Sequence, residues 1–143
     1  MALKTYRPVT KSLRFMSGLV NPKKSSVKAP RALKSLLKKH SGRSNGVVTV
    51  RGQGGRHKRF YREIDFKRDK RGIVGTVAAI EYDPNRSCNI ALIKYSDGEY
   101  RYILCPNTLK VGDEVISDIK VEVKVGNAMS LKAMPIGTMI HNV

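Results

Sequence analysis

"IVGTVAAIEYDPNRSCNIALIKYSDGEYRYILC", residues 73–105, decides the fold class. Three runs rich in aliphatic, β-branched and aromatic residues are cut by "DPNR" at 83–86 and by "SDGE" at 96–99. Proline fixes one turn torsion, and Asn, Asp and Gly accept the remaining turn geometries, so both interruptions reverse the chain. The runs 73–82, 87–95 and 100–105 are of strand length and too short for ordinary helices. "TVAAI" and "IALI" are apolar on both alternating faces, the pattern of a strand covered on two sides. Val77, Ile80, Ile90, Leu92, Ile93, Ile103 and Leu104 are the expected core. Each contributes about 1.5 to 3 kcal/mol when fully buried.

Working outward, 60–66 reads as a further strand that ends in a turn at 69–72, and weaker strands are expected at 114–116 and 119–125. Upstream, "GRSNG" at 42–46 turns the chain into the β-branched "VVTV", which meets the glycine cluster "RGQGG" at 51–55. Short strands with tight connections predict an all-β domain, a small barrel or a sandwich. One short helix is expected within "APRALKSLLKKHSG", residues 29–42. Pro30 suits a first helical position, Leu33, Leu36 and Leu37 share a face, Lys38 and Lys39 fit the last turn, and Gly42 ends it.

The charge is lopsided. Residues 1–72 hold 21 Lys/Arg against Glu63, Asp65 and Asp69, a net of +18, while residues 73–143 hold 7 against 8, a net of −1. Like charges at that density repel one another, so the first half needs a polyanion. In "GGRHKRFYREIDFKRDKRG", residues 54–72, eight cations surround Phe60, Tyr61, Ile64 and Phe66. Arg56, Lys58, Arg59, Arg62, Lys67, Arg68, Lys70 and Arg71 can each neutralise a phosphate with release of counterions. Phe60 or Tyr61 can stack on an unpaired base, which suits folded RNA better than regular duplex. Glycines 52, 54 and 55 allow close backbone approach to a sugar-phosphate chain. The expectation for the apolar minority is that Phe60, Ile64 and Phe66 point into the barrel while the cations face RNA.

Other classes have less support. Residues 1–44 contain no acid, a composition shared by organellar transit peptides and RNA-binding arms. No run approaches the roughly 20 apolar residues of a membrane span, and the three-leucine stripe is too narrow for firm membrane binding. "VTVRGQGGR" has His57 where a dinucleotide fingerprint needs glycine. His40, His57 and His141 lack metal-ligand spacing, and Cys88 and Cys105 lack a base and read as small buried thiols. No enzyme activity, catalytic residue, cofactor, metal or membrane partner is expected.

"GRSNG", "RGQGGRHKRFYREIDFKRDKRG", "IEYDPNRSCNIALIKYSDGEYRYILCP", "LKVGDEV" and "GNAMSLKAMPIGTMIHNV" together resemble the N-terminal half of the bacterial-type large ribosomal subunit protein two family. The resemblance implies a five-stranded oligonucleotide-binding (OB) barrel at about 59–126, preceded by a basic, rRNA-threading extension at 1–58. Residues 127–143 are then a linker and the first strand of a second small barrel. It implies large-subunit rRNA and neighbouring ribosomal proteins as partners, with Arg51, Arg56, His57, Lys58, Arg62, Arg68, Lys70 and Arg86 at the matching contact positions. With Arg43, Arg59 and Lys67 these form the candidate RNA-binding set. Arg86 stands at the tip of the "DPNR" turn in the neutral half, and Arg56 replaces a glycine usual in the family.

The start "MALKTYRPVT" is similar to bacterial members, which argues against an added leader. Family members continue beyond "PIGTMIHNV" into a second barrel, so a separate chain carrying the C-terminal half is an expected partner. A halved reading frame favours a mitochondrial or plastid ribosome over a bacterial one. The alternative function is a free-standing single-strand-binding or RNA-chaperone protein on the same barrel.

Overall fold

In a computed structural model, which describes residues 3–20, 27–38 and 41–143, the chain forms short strands and very little helix. Strand β1 (Leu3–Thr5) pairs with β2 (Ser17–Leu19) around the one-turn helix α1 (Lys11–Arg14). A 3-10 turn at Arg31–Leu33 leads into β3 (Lys34–Leu36). Strands β4 (Arg43–Ser44) and β5 (Val47–Val48) form a hairpin whose turn residues Asn45 and Gly46 both have positive φ, as a two-residue hairpin turn requires. Strand β6 (Phe60–Arg62) pairs antiparallel with β3. The main sheet follows, with β7 (Gly75–Glu81), β8 (Ile90–Tyr95), β9 (Tyr100–Leu104) and β10 (Glu114–Val115) in the antiparallel order β10-β7-β8-β9.

Strand β8 is buried on both faces. Ala91, Ile93 and Tyr95 join Val77, Ile103, Leu109 and Val115 in one cluster, while Ile90 and Leu92 join Ile64, Ala79 and Tyr102 in a second. A bulge in β7 makes the two clusters possible. Val77 pairs with Ile93 but Ala79 pairs with Leu92, so the extra residue sends Val77 and Ala79, which a regular strand would place together, to opposite faces. The bulge bends the sheet into a curled half-barrel. The protein is all-β and OB-like in that sense.

The segment 64–72 spans the open side. Ile64 bridges to Tyr102 in parallel, and the Asp65 amide donates to the Tyr102 carbonyl at 2.8 Å. Eight residues on, the Gly72 amide donates to the Ser117 carbonyl at 2.9 Å, and the Ser117 hydroxyl to the Arg68 carbonyl at 2.7 Å. One basic strap thus links the β9 edge to the residues just after β10.

Several expectations change. No α-helix forms among the described residues of 29–42, where the only helical piece is the 3-10 turn at Arg31–Leu33; Lys39 and His40 lie outside them. A single basic turn with three leucines has little stability as a helix, whereas Lys34–Leu36 gain a strand partner in β6 and Leu33 packs on the second cluster. Packing on that cluster reaches back to Ala29, within the stretch expected as an extension. The strand expected at 60–66 stops at Arg62 and resumes only as the Ile64 bridge, and neither 119–125 nor 127–143 forms a strand. Of the expected core, Val77, Ile90, Leu92, Ile93 and Ile103 are buried, while Ile80 and Leu104 are half-buried. Tyr95 and Tyr102 are the large core residues that the aliphatic reading missed.

Candidate nucleic-acid interface

The aromatic residues of the basic stretch face outward. Phe60, Tyr61 and Phe66 are 43%, 39% and 48% exposed, and only Ile64 turns into the core, which corrects the expectation that Phe60 and Phe66 fill the barrel. The reason is local: β3 covers one edge of β6, and Asn85 Nδ2 donates to the Phe60 carbonyl at 2.7 Å, fixing the strand without burying its rings. Lys58 Nζ stands 5.6 Å from the Phe60 ring centre. A cation and an exposed ring side by side suit a stacked base with its phosphate.

The candidate cations fall into two groups. Arg43, Arg51, Arg59, Lys67 and the neighbouring Arg71 are exposed, and their side chains have no hydrogen bond or ion pair among the described residues. Lys58 is exposed too and among the described residues its ammonium meets only the Phe60 ring; the exposed His57 holds Nδ1 3.1 Å from the Lys58 carbonyl. The others serve the fold. Arg56 donates to the Lys38 carbonyl at 2.9 Å, which ties the glycine loop to the segment after β3. Arg68 adopts a left-handed φ of 51°, held by its amide bonding Asp65 at 2.8 Å, and its Nη1 donates to the Gly126 carbonyl at 3.1 Å.

Arg62 and Arg86 converge on Asp83, which is wholly buried. Arg86 Nε donates to Asp83 Oδ2 at 2.6 Å, Arg62 Nη1 lies 3.7 Å from Oδ1, and Asn85 donates both its amide and its side-chain N–H to Oδ1. The turn thus requires its arginine as a counter-ion, a role the sequence reading did not assign; the aspartate in "DPNR" three residues earlier was the available signal. Lys70 is likewise engaged, between Asp97 and Glu99 and 4.7 Å from the Tyr95 ring centre.

Arg101, absent from the candidate set, knots this side of the strap. It bonds Asp65 at 3.0 Å, Asp69 at 2.5 Å and Glu99 at 2.7 Å. Its bonds hold the Asp69 carboxyl below its ordinary pKa; Lys70 does the same for Asp97, and Lys70 with Arg101 for Glu99. Loss of hydration opposes the charge on Lys70, but its bonds to Asp97 and Glu99 outweigh that and raise its pKa.

Gly54 and Gly55 have no neighbouring atom within 4 Å of where a Cβ would stand, and neither has a positive φ. Nothing inside the protein calls for glycine there, in contrast to Gly42, whose Cβ would strike the Val50 carbonyl.

Among the described residues no group of His, Cys, Asp or Glu is placed to hold a metal ion, and no helix is long and apolar enough to cross a membrane. A family model matches residues 30–117: Ribosomal Proteins L2, RNA binding N-terminal domain. Its limits agree with the packing, from the 3-10 turn that docks β3 to the serine that secures the strap. With more than half of its length matched, the chain belongs to the family of ribosomal L2 proteins through their RNA-binding N-terminal domain.

Proposed function

We propose that the chain is a structural constituent of the large ribosomal subunit that binds and organises large-subunit rRNA, and that it has no catalytic role. The observation that carries this reading is the outward-facing set of Lys58, Arg59 and Lys67 beside exposed Phe60, Tyr61 and Phe66. Among the described residues Lys58 and Arg59 pair with no acid, and Lys67 forms no ion pair and acts on Asp69, itself bonded to Arg101, only through its field, so phosphate is their natural counter-ion. Arg43, Arg51 and His57 extend the surface, and Gly54 and Gly55 give a phosphate backbone room. Arg56, Arg62, Arg68, Lys70 and Arg86 contribute first by holding the strap and turn in shape, and their remaining field adds to the attraction.

The bacterial-type sequence blocks support a ribosome of bacterial descent, in a bacterium, a plastid or a mitochondrion. The exposed Ile136, Met139 and Val143 need cover, which neighbouring ribosomal proteins or a chain bearing the second barrel would give. The discriminating experiment is sedimentation after a moderate-salt wash. A constituent stays with large subunits, whereas a free RNA chaperone moves to the soluble fraction, and that second outcome would remove this reading.

A further inference from the structure

Among the three acids of residues 1–72, two are accounted for: Asp65 and Asp69 both bond Arg101. Glu63 is exposed and has no hydrogen bond or ion pair from its side chain among the described residues, although cations crowd the sequence around it. It lies on the rim of a groove of about 460 Å3 between β3 and the end of β6, lined by Ala32, Leu33, Ser35, Tyr61, Glu63 and Ile64. The volume is in the range of small-molecule sites, about 300 to 1,000 Å3. The backbone there is firmly set, since the Glu63 amide donates to the Leu33 carbonyl at 3.0 Å and Ser35 pairs with Tyr61 across the ladder.

We propose that this groove takes one unpaired guanine base of the bound RNA, read by the Glu63 carboxylate and stacked against Tyr61. The proposal rests on the RNA-binding reading above and adds a specificity to it. A carboxylate repels phosphate, so on a face that attracts phosphate it favours only a group presenting donors. Carboxylates accept and never donate. Guanine alone among the four bases offers two adjacent donors, N1–H and the 2-amino group, on its Watson–Crick edge. Adenine and cytosine set an acceptor nitrogen beside their amino group, and uracil flanks its single N–H with two carbonyls; a carboxylate meets repulsion in each case. Tyr61, 39% exposed, gives a ring face to any base, and Leu33 and Ile64 supply apolar surface beneath it. Lys58 and Arg59, just before β6, stand ready for the flanking phosphates.

The test uses the full 143-residue chain and short oligouridines carrying one central guanosine, inosine or adenosine, read by fluorescence anisotropy. Inosine keeps N1–H and lacks the 2-amino group. The guanosine oligomer should bind roughly tenfold more tightly than the other two, as a bidentate base contact allows. Glu63→Gln should bring the three affinities together and leave affinity for plain oligouridine equal or higher, with an unchanged melting temperature as the sign of an intact fold. Lys58→Ala should weaken all three equally and keep the preference. Equal binding of the three oligomers by the unaltered chain, or a preference that survives Glu63→Gln, overturns the guanine site while RNA binding stands. Binding to none of the RNAs at low salt would instead overturn the RNA-binding reading itself, and this site with it.

Discussion

Gly75 lies directly across from Tyr95 in the β7–β8 ladder, and a methyl group in place of its hydrogen would overlap Ile93 Cγ2 and press on the Tyr95 ring. The close approach leaves room for Tyr95, 2% exposed, to pack beside Gly75, with Lys70 over its ring. Gly75→Ala should therefore cost about 1 to 3 kcal/mol, the usual range for an overfilled core, in spite of alanine's smaller entropy loss on folding. Urea denaturation measures it. A variant as stable as the parent would mean that Ile93 and Tyr95 can move aside.

Asp83 carries a second stability prediction. Its carboxylate is buried, and Arg86 provides the shortest of its charged contacts. Removing one partner of a buried pair leaves a desolvated charge behind, which typically costs about 3 to 5 kcal/mol. Asn85 and Arg62 remain as donors, so Arg86→Ala should lose about 2 kcal/mol. The double variant Arg86→Ala, Asp83→Asn should recover part of that loss, and a thermal denaturation series would reveal whether it does.

Salt dependence separates the two groups of cations. Log affinity for rRNA fragments should fall by roughly 0.7 to 0.9 per neutralised phosphate for each log unit of salt. Lys58→Ala, Arg59→Ala and Lys67→Ala should each flatten the slope by about that amount. Lys70→Ala should change it less, because Asp97 and Glu99 already balance that charge. Equal effects from Lys67 and Lys70 would show that RNA displaces the internal acids.

The strands at 75–81, 90–95 and 100–104 were legible because alternation and turn chemistry are local properties of the chain. The pairing of Lys34–Leu36 with Phe60–Arg62 was not, since it joins segments more than twenty residues apart and overrides a weak helical pattern. The same limit governs the site. Composition marks the cations but cannot say which of them will bond an acid in the folded chain: Arg62 and Arg86 find Asp83, Lys70 finds Asp97 and Glu99, and Lys67 forms no ion pair among the described residues and acts on Asp69 only through its field. The outward Phe60 and Phe66 were misread because apolar side chains usually signal core, and only the geometry of β6 and the strap reverses that.

Acid should loosen the strap. The carboxyls of Asp69, Asp97 and Glu99 have folded pKa values below their ordinary ones, 3.8, 3.8 and 4.5, because Arg101 and Lys70 bond them. A group depressed in the folded state contributes stability above its unfolded pKa, and that contribution disappears as pH falls through the folded value. Stability should then be level above about pH 5 and decline below it, through the ordinary carboxyl range and beyond. Asp97→Asn with Glu99→Gln should shrink the decline. A denaturation series across that range checks both statements, and an undiminished decline in the double variant would assign it to other acids.

Hydrogen exchange on the free chain tests where the folded unit begins. The Leu37 amide donates to the Arg59 carbonyl at 3.2 Å and the Glu63 amide to the Leu33 carbonyl at 3.0 Å, the two bonds that seal β3 against β6. Lys34 reinforces them with its ammonium 3.4 Å from Glu81, whose other partner, Tyr102, donates its hydroxyl at 2.9 Å from the core. Both amides should exchange slowly without RNA, alongside those of β8, whereas the two-residue β4–β5 hairpin, with exposed side chains and few packing contacts, should exchange fast. Glu81→Gln should speed exchange at Leu37 more than at Ile93, since it weakens the dock and leaves the sheet ladder in place. Fast exchange at Leu37 in the unaltered chain would return the whole stretch before residue 59 to the role of an arm that orders only on RNA.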